Sequence, residues 1–382
     1  MVFRSRTQGV LAIFLLALFG VKFSLAQAPG PASNFRQLFQ RIAEFSPNPC
    51  GPPYGNEDNW QSAANTERHL FSVAADTVTR ELNASASSPG SPQERAAAAL
   101  KKLEQMSAEI NASWPDDNRF HFQVLDLPPA LVVKMSIRTH EGFFVFGIPG
   151  EDSRKPNRAW RNVGSNEEFS EFSVPPSHFD LYPLHRGPSG NARFLANAIY
   201  SGCAGSIGVA YDAREWDPRG IGDFGQIIKQ EGSFGLDDKV RGFPQIGKLQ
   251  TNGPLVTLPY CWFSAIDTWD NPSLCAVDTY DLSGDDVKFR SRLYNRPDLV
   301  PIAKAIEYAE KRDYPAVLGY CASDEIARRM VRDVPPSVYA DDLRITRTGD
   351  GKERVEFGDS PAYRFNVEKK GDRWLVTAFR AE

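Results

Sequence analysis

The span CWFSAIDTWDNPSLC, residues 261–275, holds two tryptophans, two aspartates and a cysteine at either end. Trp262 and Trp269 are residue types that take the face of a sugar ring. Asp267 and Asp270 are a pair that could serve as acid and base on a glycosidic bond. Such a pair needs its carboxyls about 5–5.5 Å apart for retention or roughly 6.5–9.5 Å for inversion, with one pKa raised. Two aspartates three apart in one turn also cap that turn's own amides. Two readings therefore stand side by side: a ligand loop built on Trp262, Asp267, Trp269 and Asp270, and a hairpin tied off by sulfur.

Pairing Cys261 with Cys275 across an antiparallel ladder sets Thr257 opposite Thr279 and Pro259 opposite Val277, all on one face. A non-hydrogen-bonded pair brings Cα atoms to about 4.5–5.5 Å, which a disulfide tolerates. Closing the 15-residue ring contributes roughly 3 kcal/mol on the chain-entropy view. The loop 264–272 would then project its acids and Trp269 from a rigid stem.

Other chemistries fit poorly. Ala204-Gly205-Ser206-Ile207-Gly208 spells a loose nucleophile elbow, but a strand pattern follows it and every histidine lies upstream. Cys203 as a nucleophile would need a thiolate beside His178 or His185. SHFDLYPLH places His178 and Asp180 on one face of a strand and His185 on the other, and no metal-ligand spacing occurs. Asp281, Asp285 and Asp286 belong to a hairpin turn first and a weak calcium site second. No motif implies a cofactor, and no metal is expected.

The elements that would position these residues sit in an exported chain. Arg4 and Arg6 precede an apolar run from about Val10 to Val21, and Ser24-Leu25-Ala26 supplies a cleavage site. That is the order of a secretory signal over residues 1–26. The run is shorter than the roughly 20 residues of a spanning helix, and no later segment is long and apolar enough. The protein is expected to be secreted or periplasmic, with no membrane span after cleavage. Loss of Arg4, Arg6 and Lys22 takes the formal charge from −4 to −7. An acidic chain argues against a nucleic-acid groove. Export also makes pairing the default for cysteines. Five are present, and the fates of Cys50, Cys203 and Cys321 stay open. Asn83 and Asn111 head glycosylation sequons, which matter only in a eukaryotic secretory route.

The length of 382 residues exceeds one ordinary core. Residues 27–118 carry helical patterns, including the stripe Ala97, Leu100, Leu103, Met106, Ile110. From 119 to 296 the period turns to two, in short runs split by Gly, Pro, Asp and Asn, which predicts a central antiparallel sandwich or barrel. A glycine-rich connection is expected over about 213–253. Residues 297–382 return to helices, with Asp298 and Ser323 as N-caps, and then to four strands. Leu343/Ile345, Val355/Phe357 and Tyr363/Phe365/Val367 share one face, so the helices should cover that meander. The expected class is α+β, multidomain.

Those helices and the meander closing on KKGDRWLVTAF resemble the cone-shaped α+β fold of the nuclear transport factor and SnoaL-like superfamily. The resemblance covers about the last 85 residues and rests on pattern, with no signature motif. It implies a pocket between helices and sheet, lined by Ile302, Ile306, Tyr363, Phe365 and Trp374, and implies no activity. The acid–base residues of enzymatic members have no counterpart, since no histidine follows His185. The function expected from the sequence is a non-enzymatic binding or accessory protein for a small molecule, glycan or protein partner. The alternative is a secreted hydrolase acting on carbohydrate through the hairpin around 261–281.

Overall fold

Runs of alternating residues between Phe120 and Tyr294 pair with their chain neighbours, the cheapest closure a strand can find. The computed structural model describes residues 71–76, 78–80, 82–83, 94, 97–98, 101–105, 108, 120–127, 130–137, 140–147, 161–165, 178–201, 207–216, 224–234, 249–267, 273–336, 338, 343–358 and 362–381. Within them sixteen strands form four antiparallel meanders of four strands each. The leader, Cys50, Cys203, Asn111, Trp269 and Asp270 lie outside the described residues.

The first sheet comprises β1 (Phe120–Leu127), β2 (Ala130–Ile137), β3 (His140–Gly147) and β4 (Arg161–Ser165). The second comprises β5 (His178–Pro183), β6 (Arg193–Ser201), β7 (Ile207–Trp216) and β8 (Phe224–Phe234). The third comprises β9 (Gln250–Asn252), β10 (Leu255–Trp262), β11 (Leu274–Asp281) and β12 (Lys288–Tyr294).

An antiparallel sandwich or barrel was the expectation, and the antiparallel sheets stack in three layers. One face of β6, carrying Phe194, Ala196 and Ala198, packs with Val132, Phe143 and Val145 of the first sheet. The other face, carrying Leu195, packs with Val256, Leu258 and Tyr260 of the third. The second sheet is thus a middle layer, buried on both sides, which explains why β6 reads as a near-continuous apolar run. The far side of the first sheet meets a helical stretch through Phe71, whose ring lies 6.3 Å from that of Phe144.

Two polar devices join the layers. Arg193, fully buried, donates to Glu215 and to the carbonyls of Leu282 (2.6 Å) and Gly284 (3.0 Å). It ties the middle sheet to the β11–β12 turn. At the other edge, Lys134 Nζ donates to the Phe179 carbonyl (2.7 Å) and Glu141 accepts from the Phe179 amide (2.7 Å). These two side chains supply β5 with the donor and acceptor that a further strand would provide, which protects an open edge.

The connection over 213–253 contains β8, where a glycine-rich irregular segment was expected. Gly232 belongs there for a packing reason. A Cβ at that position would lie 2.4 Å from the Cys261 carbonyl oxygen and 2.9 Å from Tyr260 Cβ. The glycine marks a close approach of sheets, not a turn.

The C-terminal part contains α1 (Val300–Glu310), α2 (Tyr314–Leu318) and α3 (Asp324–Asp333). These cover a meander of β13 (Arg344–Gly349), β14 (Lys352–Phe357), β15 (Tyr363–Lys370) and β16 (Arg373–Ala381). Ser323 caps α3, accepting from the Ile326 amide. Asp298 does not cap α1; Leu299 holds that position, and Asp298 is taken by Arg296 instead. The tight turns after β13 and β15 use Gly351 and Gly371 at φ 62° and 63°.

Candidate functional site

The hairpin at 261–275 is where the central stack meets the C-terminal part. Register pairs Thr257 with Thr279, Pro259 with Val277 and Cys261 with Cys275. Cys261 and Cys275 form a disulfide with Cα atoms 3.9 Å apart. The Cys275 amide and carbonyl both turn toward Asn295 on the opposite side, to Oδ1 and the backbone amide. The cysteines therefore form a non-hydrogen-bonded pair, the kind in which Cα atoms come closest.

The described part of the loop does not project as expected. Ile266 is fully buried in the C-terminal core beside Leu299 and Ile302, with Trp262 and Ala265 packed against the same cluster. Asp267 spends both carboxylate oxygens on its own loop. One accepts from the Ser264 amide (2.7 Å) and hydroxyl (2.8 Å), the other from the Ser273 amide (2.6 Å). Of the four loop residues singled out in the sequence, Trp262 and Asp267 are placed in this way, and Trp269 and Asp270 lie outside the described residues.

Trp262 also packs against the core between the second and third sheets, and it begins a band of rings. Its centroid is 5.9 Å from that of Tyr260 and 5.9 Å from that of Tyr294. Farther along the sheet, register pairs Tyr280 with Phe289, their rings 5.7 Å apart. Arg292 lies between the two groups, over the faces of Tyr260 (5.7 Å) and Phe289 (5.8 Å). In the other direction Tyr320 stacks on Tyr308, 6.0 Å apart. Burial first, then Tyr308, push the Tyr320 hydroxyl upward. Trp262, Tyr280, Tyr294, Tyr308 and Tyr320 are half-buried, and Phe289 is 54 % exposed.

A buried ion pair fixes the middle of the band. Asp278 is fully buried and accepts from Arg292 Nε and Nη2, both at 2.7 Å. The Tyr260 hydroxyl donates to it at 3.3 Å. Burial, then the Asp278 charge, push that hydroxyl well above its ordinary range and keep it a donor. Asp281 is engaged as well, by the Ser283 amide (2.8 Å) and by Arg290. Ser283 and Arg290 hold its carboxyl below the usual range. Among the described residues, no group of three potential ligands converges on a metal position.

His178, weighed as a metal or catalytic partner, lies between two carboxylates. Its Nδ1 is 3.0 Å from Glu141 and its Nε2 3.0 Å from Asp180. It thereby extends the edge contact between the first and second sheets. Cys321 is a buried thiol, 3.8 Å from the Met330 sulfur, and burial pushes it up to about 12.

The five residues read as a C-terminal pocket belong to one core. Ile302, Ile306, Tyr363 and Phe365 are buried in it, and Trp374 packs against it. Phe365 and Phe379 have centroids 5.0 Å apart, and Phe357 stacks on Phe365 at 5.6 Å.

The sequence reading missed Tyr260, Asp278, Tyr280, Phe289, Arg292, Tyr294, Tyr308 and Tyr320. The alternation of Tyr260 with Trp262 and the pairing of Tyr280 with Phe289 were readable once β10, β11 and β12 were set in register. No protein-family model and no curated protein matches the chain.

Proposed function

We propose that this chain is an exported, non-enzymatic binding or accessory protein whose contact surface is the aromatic band on the third sheet. The observation that carries this reading is the ring series from Phe289 to Trp262 and Tyr294, held on a disulfide-clamped hairpin and centred on the Asp278–Arg292 pair. Phe289 is exposed, Trp262, Tyr280 and Tyr294 show part of their surface, and Tyr260 is buried beneath them. Such partly exposed rings on a rigid sheet suit a ligand with flat apolar faces and hydrogen-bonding edges. A neutral glycan chain has that chemistry. Three of the described carboxylates of this region are committed to protein partners: Asp267 to its loop, Asp278 to Arg292 and Asp281 to its turn. This favours binding over the hydrolase alternative, which needs an acid and a base free to reach substrate.

Export over a leader at residues 1–26 is part of the same reading, and a disulfide between Cys261 and Cys275 suits an oxidising compartment. So is a division into a helical region (27–118), a central β part (119–296) and an α+β part (297–382) of SnoaL-like form. Titrating the purified mature chain with cello- and chito-oligosaccharides while following tryptophan fluorescence tests the function. We expect saturable binding, weakened at least about threefold by Phe289→Ser, with no reducing ends released. Release of reducing ends, or no saturable response to either sugar, would overturn it.

A further inference from the structure

The fourth sheet has a second face, directed away from its helices. Ile345, Val355, Phe365 and Phe379 face the core, so alternation sets Arg344, Glu356, Arg364 and Arg380 in one row across all four strands on the other side. The next row reads Thr346, Arg354, Asn366 and Ala378, and the one beyond it includes Lys352, Glu368 and Leu375. Five cations stand against two acids, in a chain whose formal net charge is −4. Glu356 accepts from Arg364 at 2.5 Å, and Lys352 pairs with Glu368 at 3.3 Å. Arg354 and Arg380 are exposed, and among the described residues no carboxylate lies within ion-pair distance of either. Arg364 and Arg380 are direct cross-strand partners, and Glu356 neutralises Arg364, so the cationic charge left over in this row includes that of Arg380.

We infer that this arginine face is a binding surface for an acidic polysaccharide, separate from the aromatic band. Guanidinium forks match carboxylate and sulfate groups. Thr346 and Asn366, interleaved among them, offer partners to sugar hydroxyls. A single-stranded nucleic acid would need rings to stack on. The rings of this sheet, Phe357, Tyr363, Phe365, Trp374 and Phe379, belong to the core side. A duplex is read by a helix or ribbon that enters a groove, which a flat four-stranded face does not provide. A lipid surface calls for apolar anchors, and the face has only the half-buried Leu375 and Ala378.

The test uses the purified full chain with heparin as a sulfated uronic probe, against neutral dextran, duplex DNA and anionic phospholipid vesicles at about 0.1 M salt, where the Debye length is about 10 Å. Heparin is expected to bind in preference to the other three, and Arg354→Glu with Arg380→Glu to weaken it by at least about tenfold. The milder Arg354→Gln with Arg380→Gln should give an intermediate loss, checked against an unchanged thermal melt. Phe289→Ser should leave heparin binding as it is, which separates this surface from the glycan band. Heparin binding no tighter than dextran, tighter binding of DNA or vesicles, or an unchanged affinity in both double variants would overturn the inference.

Discussion

Arg292 grips Asp278 with two hydrogen bonds of 2.7 Å, one to each carboxylate oxygen, at a position where the aspartate is fully buried. The fork geometry matters more than the charge. Arg292→Lys keeps a cation but loses the bidentate contact and the stacking on Tyr260 and Phe289. Arg292→Ala strands a buried carboxylate, a change of about 3 kcal/mol or more. Chemical denaturation should rank the variants wild type, Arg292→Lys, Arg292→Ala in falling stability. Equal losses in the two variants would show that the fork contributes nothing.

Gly232 is the point of closest approach between the second and third sheets. Gly232→Ala forces β8 and β10 apart, because the new methyl meets backbone at 2.4 Å and has no flexible neighbour to displace. The expected loss is roughly 1–3 kcal/mol, read as a lower denaturation midpoint. Gly225→Ala in the same strand meets nothing within 4 Å and is the matched control.

Both sulfurs of the Cys261–Cys275 bridge belong to residues only 1 % exposed. Reductant without denaturant should leave the bridge intact, and Cys321 should resist alkylation in the folded chain. Replacing both bridge cysteines by serine should lower stability by about 3 kcal/mol, by the entropy of a 15-residue ring. Rapid native-state reduction, followed by mass spectrometry, would contradict the burial of the pair.

Asp298 and Glu353 share Arg296, and their acidities diverge. Burial alone would raise Asp298, but the hydrogen bonds from Arg296 and Glu353 outweigh it and hold it low. Burial, then the hydrogen bond and charge of Asp298, push Glu353 up to about 6. A raised acid binds its proton more tightly when folded. Its contribution is fully present below the unfolded value of about 4.3 and is lost as pH rises through about 6. Stability should therefore fall by on the order of 1 kcal/mol across that window through this group. Glu353→Gln should flatten the profile between pH 4 and 6. A variant that falls as steeply as wild type would remove Glu353 from the account.

The register of β10 on β11 was legible from Thr257, Pro259 and Cys261 because a period of two admits one alignment in which the cysteines meet. The C-terminal meander was legible for the same reason, through Ile345, Val355 and Phe365. β8 was not, because Gly225 and Gly232 read locally as turn residues, whereas Gly232 answers to a neighbour in another sheet. The N-cap placed at Asp298 failed because Arg296, two residues away, makes a stronger partner for that carboxylate than the helix amides do. The aromatic band was only partly legible for a related reason. Tyr260 with Trp262 and Tyr280 with Phe289 follow from strand register, whereas the contact of Trp262 with Tyr294 and the stacking of Tyr308 on Tyr320 depend on tertiary packing.

Hydrogen–deuterium exchange with and without a saturating neutral oligosaccharide tests the binding surface most directly. Protection is predicted in peptides covering β10, β11 and β12, the strands that carry the rings, with the outer face of the fourth sheet unchanged. Protection confined to the C-terminal helices and sheet, or none anywhere under saturating sugar, would contradict the account.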